Sequence, residues 1–170
     1  MSTSEADRVI AQNVAAYNLV AASYDQSHPE IYNVVEQERL AGAVREVLAA
    51  VGRREGAPAR VLDVGAGTGN LTAHFLEAGA TVVAADVSPE CLRVVREKFG
   101  HTGRLETQLI DGRSLAVLPD ESLDVAACYS VLHHVPDYVA LVAEMARVVR
   151  SGGLVYLDHE RHDESWLPDA

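Results

Sequence analysis

The run Val61-Leu62-Asp63-Val64-Gly65-Ala66-Gly67-Thr68-Gly69-Asn70 constrains this chain more than any other stretch. A short apolar segment leads into three glycines at alternate positions, and a helix-compatible segment follows. Such a pattern reads as a buried strand delivering a turn so tight that side chains would block whatever approaches it. The spacing is G-x-G-x-G, one residue short of the G-x-G-x-x-G dinucleotide fingerprint. Taken alone, alternate glycines also serve as a plain tight turn. The residues downstream carry the rest of the weight.

Downstream, strands and helices alternate over short loops. Strands are expected at 60–64, 81–86, 105–110, 123–129 and 154–158. Helical spacing predicts helices at 70–78, stopped by Gly79, at 89–99, and at 137–150, closed by Ser151-Gly152-Gly153. Ser88 before Pro89 is a cap with proline at the first helical position. Upstream, Glu5 to Gly52 reads as helical with a break near Ser27-His28-Pro29, and Gly52 to Pro58 as a linker. The expected fold is therefore α/β, a Rossmann-like doubly wound sheet of mainly parallel strands with N-terminal helices. One compact domain is expected, with residues 1–58 as helices capping a pocket and 59–170 as the core.

The balance of residues excludes several function classes. A net charge of -11 over 170 residues, with no basic tract beyond Arg53-Arg54, argues against a nucleic-acid partner. No apolar run reaches the length of a membrane span, and the N-terminus lacks the charged start and apolar core of a signal peptide. Cys91 and Cys128 lack metal-type spacing. The default expectation is a cytoplasmic protein with no membrane partner.

The glycine turn with Asp63 two residues ahead resembles the nucleotide-binding motif of class I S-adenosylmethionine-dependent methyltransferases. The resemblance continues in Ser122-Leu123-Asp124-Val125, in Leu132-His133-His134-Val135-Pro136-Asp137 and in Ala146-Arg147-Val148-Val149-Arg150-Ser151-Gly152-Gly153. Together these look like the small-molecule methyltransferase-domain group, of the ubiquinone- and menaquinone-biosynthesis kind. Ala21-Ala22-Ser23-Tyr24-Asp25 resembles the leading helix of that group, where a Tyr-Asp pair lies near the cofactor.

What the resemblance implies can be placed on strand ends, where parallel sheets gather ligands. The cofactor would be S-adenosylmethionine, met by Asp63 and by Gly65, Ala66, Gly67, Thr68 and Gly69 of the turn. The following helix N-terminus suits its carboxylate. Asp86, with Val87, ends strand two, where a carboxylate can accept both ribose hydroxyls. Asp111-Gly112 stands at the adenine position, although an Asp-Gly pair is equally an ordinary turn. Cys128 and Tyr129 end strand four, and Tyr24 faces the cofactor or packs in its helix. His133 and His134 are candidate general bases or backbone hydrogen-bonding turn residues; no metal site is expected, since Asp158, His159 and His162 read as a solvated tail.

The function these residues imply is methyl transfer to a small organic acceptor, at O, N or C. Two alternatives stand beside it. A nicotinamide-dependent oxidoreductase would prefer the longer glycine spacing. A non-catalytic or partner-dependent subunit would bind cofactor without transfer. The second draws on the C-terminal side, where the family's antiparallel edge is apparently missing after strand five. That edge is expected to be covered by a second copy, by a partner chain or by further sequence.

Overall fold

The computed structural model describes residues 4–52 and 56–160. Three helices come first: α1 (Glu5–Val20), α2 (Tyr24–Ser27) and α3 (Val34–Ala50). There follow β1 (Arg60–Val64), α4 (Asn70–Glu77), β2 (Thr81–Asp86), α5 (Pro89–Phe99), β3 (Leu105–Leu109), β4 (Leu123–Tyr129), α6 (Tyr138–Val148) and β5 (Val149–Asp158). Four of these helices, α1, α3, α5 and α6, start at a side-chain cap. Ser4 and Asp7 form a capping box on α1, and Asn33 accepts from Glu36 N–H at 3.0 Å on α3. Ser88 Oγ accepts from Cys91 N–H at 3.1 Å ahead of Pro89, and Asp137 accepts from Ala140 N–H at 3.0 Å.

The strands form one parallel sheet in the order β3-β2-β1-β4-β5. All seven residues of β4 are buried, as a strand covered on both faces requires. Val61, Val82, Val125 and Ala127 face Leu40 and Val44 of α3 and Phe75 of α4. Leu62, Val64, Ala126 and Cys128 face Leu141, Met145 and Val148 of α6. The chain therefore winds first to one side of β1 and then to the other. This reversal opens a crevice at the carboxyl ends of β1 and β4. Among the described residues β5 is an outer strand, with Leu157 exposed.

Two expectations about elements need correction. The last helix does not reach Arg150: α6 stops at Val148 and Val149 already pairs with Leu123. Residues 150–153 then bulge before Leu154 pairs with Val125. Arg150 Nε reaches buried Asp124 Oδ1 at 2.6 Å, and a Cβ on Gly153 would lie 2.5 Å from Asp124 O. The Ser-Gly-Gly sequence is thus a bulge inside the strand and not a helix stop. The N-terminal half likewise breaks twice, at 21–23 and at 28–33, which leaves α2 as a single turn lying between longer helices.

Candidate functional site

The glycine turn closes onto β2. Gly65 and Ala66 N–H both donate to Ala85 O, at 2.8 and 3.0 Å, and Gly67 N–H donates to Asp86 Oδ2 at 2.8 Å. The glycines have different reasons to lack side chains. A Cβ on Gly65 would lie 2.6 Å from Val131 Cγ2, and one on Gly69 2.6 Å from Phe99 Cε2. A Cβ on Gly67 would meet nothing closer than 4.0 Å, so this residue leaves open space above the turn.

Asp86 ends β2 with its carboxylate almost fully buried. Oδ1 accepts from Ser88 N–H at 2.8 Å and Oδ2 from Gly67 N–H, with the Val87 N–H also directed at the carboxylate. Burial raises its carboxyl above the ordinary range, and the backbone donors partly offset that. Asp63 lies beneath the turn, where Thr72 Oγ1 donates to it at 2.6 Å. Burial pushes its carboxyl up to about 7.

A cavity opens over the turn. Its roof comes from the N-terminal segment, including Ile10, Asn13, Tyr17, Tyr24 and Tyr32. Tyr24 stacks on His28 with ring centroids 3.9 Å apart. The roof is fastened at Asp25, which accepts from Thr68 Oγ1 at 2.6 Å and from Lys98 Nζ at 2.5 Å. Tyr32 Oη adds a 3.0 Å bond to Thr68 Oγ1, and Lys98 also donates to Thr68 O.

The fourth wall is the loop after β4. Ser130 holds φ at +59°, a left-handed conformation uncommon for serine, and turns the chain into a short helical turn, Leu132–His134. His134 lines the cavity; its Nε2 lies 3.0 Å from Tyr17 Oη, and Asn13 Nδ2 donates to its carbonyl at 3.0 Å. Burial pushes the Tyr17 phenol up to about 12, so this hydroxyl stays protonated. His133 turns away to Glu160, with Nδ1 3.2 Å from Oε2. Glu160 Oε1 also accepts from Val131 and Leu132 N–H, at 2.8 and 3.0 Å. Burial opposes the charge on Glu160, but those bonds outweigh it and hold the carboxyl below its usual range.

Of the residues singled out in the sequence, Tyr24, Gly65, Ala66, Gly67 and Thr68 line the cavity. So do Asp86, Val87, Gly112, Tyr129 and His134. Five others lie off its wall. Asp63 and Gly69 support the turn from below, and His133 braces the loop through Glu160. Asp111 is exposed and caps its own loop, accepting from Arg113 and Ser114 N–H at 2.8 and 2.9 Å. Cys128 is fully buried on the α6 face of the sheet, because alternation along β4 turns it there. Sequence reasoning missed Tyr17, Asn13, Asn70, Lys98 and Glu160, whose roles depend on long-range docking.

Among the described residues, no group of three or more His, Cys, Asp or Glu could hold a metal ion, and no helix is long and apolar enough to cross a membrane. Asp158 pairs with Arg39, and the His159 ring stacks on Tyr129 at 4.8 Å; His162 lies outside the described residues.

Residues 62–157 match the family described as methyltransferase domain. The ubiquinone biosynthesis O-methyltransferase of Thiobacillus denitrificans is 36% identical over 110 residues, covering 64% of this chain and 47% of that protein. The chain thus spans about half the length of the curated relatives it matches. The solved YcgJ protein of Bacillus subtilis is 28% identical with a TM-score of 0.57, covering 68% of this chain and 49% of that one. A Methanococcus maripaludis structure described as a putative S-adenosyl-L-methionine-dependent methyltransferase gives a TM-score of 0.66 at 17% identity, covering 82% and 62%. The last likeness is one of fold.

Proposed function

The chain belongs to the methyltransferase-domain family, and from that membership we propose that it transfers a methyl group from S-adenosylmethionine to a small organic acceptor. The observation that carries this reading is Asp86, a buried carboxylate held by backbone donors beside a turn whose central glycine leaves space above it. A carboxylate at the end of a strand suits a vicinal diol. Val87, Ile110, Gly112 and Ile10 form an apolar slot on the β3 side that suits a flat base.

When bound, the cofactor's sulfonium supplies both the methyl carbon and a good leaving group. The protein then has chiefly to align the acceptor, and orientation of this kind is worth effective molarities of order 10⁵ M or more. Tyr17 and His134 meet in the cavity at the loop that follows β4. An acceptor hydroxyl there would pass its proton to this pair: Tyr17 donates to His134 Nε2 and takes the acceptor's proton in turn. The names of the relatives, O-methyltransferases, favour an oxygen nucleophile. A net charge of -11 disfavours a nucleic-acid acceptor.

In this reading residues 1–58 cap the cofactor and residues 59–170 hold it. A second chain pairing along β5, a copy or a partner, would cover the outer strand. Calorimetric titration with S-adenosylhomocysteine, followed by mass spectrometry of a panel of phenolic acceptors incubated with S-adenosylmethionine, tests the function. Binding and a gain of one methyl group are expected. Absence of binding would end this reading, and binding without transfer to any acceptor would favour the non-catalytic alternative.

A further inference from the structure

The turn that carries His134, Leu132–His134, is three residues long and cannot hold its own shape. A single helical turn fixes many dihedrals for few hydrogen bonds. Here they are His134 N–H to Val131 O at 2.9 Å and Val135 N–H to Leu132 O at 3.0 Å. Both ends are held from elsewhere in the chain. At the start, Glu160 Oε1 takes the Val131 and Leu132 N–H groups. At the finish, Asn13 Nδ2 donates to the His134 carbonyl at 3.0 Å. A carbonyl only accepts, so the Asn13 carboxamide can face only one way.

Asn13 and Tyr17 stand one turn apart on α1 and reach the same histidine. Asn13 holds its backbone. Tyr17 Oη lies 3.0 Å from ring Nε2, with the two rings edge-on at 83°. The two caps of the turn differ in how firmly they are mounted. Glu160 follows directly on β5, which is paired along β4, whereas α1 buries none of its 16 residues. Polar contacts seat α1: besides these two, Arg113 pairs with Asp7, and Ser88 Oγ donates to Asn18 Oδ1 at 2.7 Å. An element with so little apolar burial opens at low free-energy cost. Glu160 therefore shapes the turn whenever β5 is docked, and Asn13 only while α1 is seated.

We propose that Asn13 is a positioning residue for the acceptor's proton transfer: by capping the His134 carbonyl it fixes the ring where Tyr17 can meet it. This rests on the methyl-transfer reading above, in which Tyr17 Oη gains the acceptor's proton as its own passes to His134 Nε2. One movement of α1 then brings Asn13 to the backbone and Tyr17 to the ring. The pair that takes the proton exists only under a seated α1. The effect of Asn13 falls on the acceptor part of the cavity. The diol at Asp86 and the base beside Val87 and Gly112 are held from the end of β2 and the loop after β3, so cofactor affinity survives its loss.

The experiment measures amide hydrogen exchange, S-adenosylhomocysteine affinity and turnover in Asn13→Ala and Asn13→Asp. The second keeps the shape of the side chain and removes only the donor. In both, exchange at the His134 and Val135 amides should quicken roughly 3- to 10-fold, the span of one net hydrogen bond. Exchange along β1 and β4 should stay as it was, and the Kd for S-adenosylhomocysteine should stay within about twofold. With whichever phenol of the panel gains a methyl group, kcat should fall by at least the same 3- to 10-fold while KM for S-adenosylmethionine holds. Combined with Tyr17→Phe, Asn13→Ala should cost less than the product of the two single losses, because both act on one histidine. A structural role elsewhere would give independent, multiplying losses. Unchanged exchange at His134 and Val135, an Asn13→Asp protein that matches the parent, or affinity for S-adenosylhomocysteine falling as far as kcat overturns the inference and leaves methyl transfer standing. A parent protein that methylates no phenol of the panel removes the reading beneath it, and the inference with it.

Discussion

Asp25 Oδ2 lies 2.5 Å from Lys98 Nζ, and its other oxygen accepts from Thr68. One residue of the segment between α1 and α3 is thereby tied both to the glycine turn and to the last turn of α5. No other residue of that segment joins two elements of the core through its carboxylate among the described contacts. The roof of the cavity depends on it.

Lys98→Met should therefore loosen the roof more than the core. Both side chains of the pair are about a third exposed (34% and 37%), so the ion pair is worth at most about 1 kcal/mol. Affinity for S-adenosylhomocysteine should fall by about two- to fivefold, with the melting temperature nearly unchanged. Hydrogen exchange at residues 21–33 should quicken. Unaltered exchange there would show that the segment is held by its apolar contacts alone.

Asp86→Ala should weaken cofactor binding and also destabilise the free protein. The carboxylate is the acceptor for Gly67 and Ser88 N–H, and each buried donor left unmade costs about 1–3 kcal/mol. Asp86→Asn keeps one acceptor and should lose less stability than Asp86→Ala. Chemical denaturation of the two variants separates the structural from the ligand-binding contribution. Equal stability of both with the parent would mean that water replaces the carboxylate.

The two adjacent histidines should behave differently. His134→Ala should cut turnover of a hydroxyl acceptor by about 10²- to 10⁴-fold with little change in cofactor affinity. Tyr17→Phe should reproduce part of that loss. His133→Ala should act mainly on stability, since His133 contacts Glu160 and not the cavity. Steady-state kinetics and thermal melts of the three variants decide this; a larger turnover loss in His133→Ala would reverse the assignment.

Asp63 should leave a mark on stability against pH. Burial raises its carboxyl from 3.8 to about 7 in the folded chain, so the folded state holds the proton more tightly. Its contribution is most favourable below the unfolded value and is lost as pH climbs from about 4 to about 7. Asp63→Asn still accepts from Thr72 and does not ionise. Relative to the parent, it should gain stability across that window, by a few kcal/mol at the upper end (order of magnitude). Parallel stability curves for the two proteins would show that Asp63 titrates normally.

The order of strands and helices was legible because β1, β2 and β4 are short apolar runs and several helix starts carry a local signal, as at Ser88-Pro89. The end of α6 was not. Helical spacing through Leu141, Met145 and Val148 runs on into Val149, and only the packing of Gly153 against Asp124 reveals a bulged strand. The site divided in the same way. Asp86 and the turn follow from position on a strand, whereas Asp111 could be separated from a ligand contact only by seeing its carboxylate cap its own loop. Pairs such as Tyr17 with His134 and Gln37 with Asn70 join helices distant in sequence. Nothing local announces which faces will meet.

The Glu160 clamp bears on the order in which this protein assembles. Val131 and Leu132 N–H find their acceptor only after α6 has formed and β5 has docked beside β4. Contacts spanning that much chain come at a high cost in loop closure, so they should form after the local ones. In refolding experiments, pairing of β1 to β4 and binding of cofactor should precede acceptor competence by a resolvable interval. A chain caught before β5 docks would carry its glycine turn and Asp86 but lack a shaped loop for His134. Binding of cofactor and positioning of acceptor would then be acquired at separate times, first the older half of the pocket in folding order and last the half where the methyl group is received.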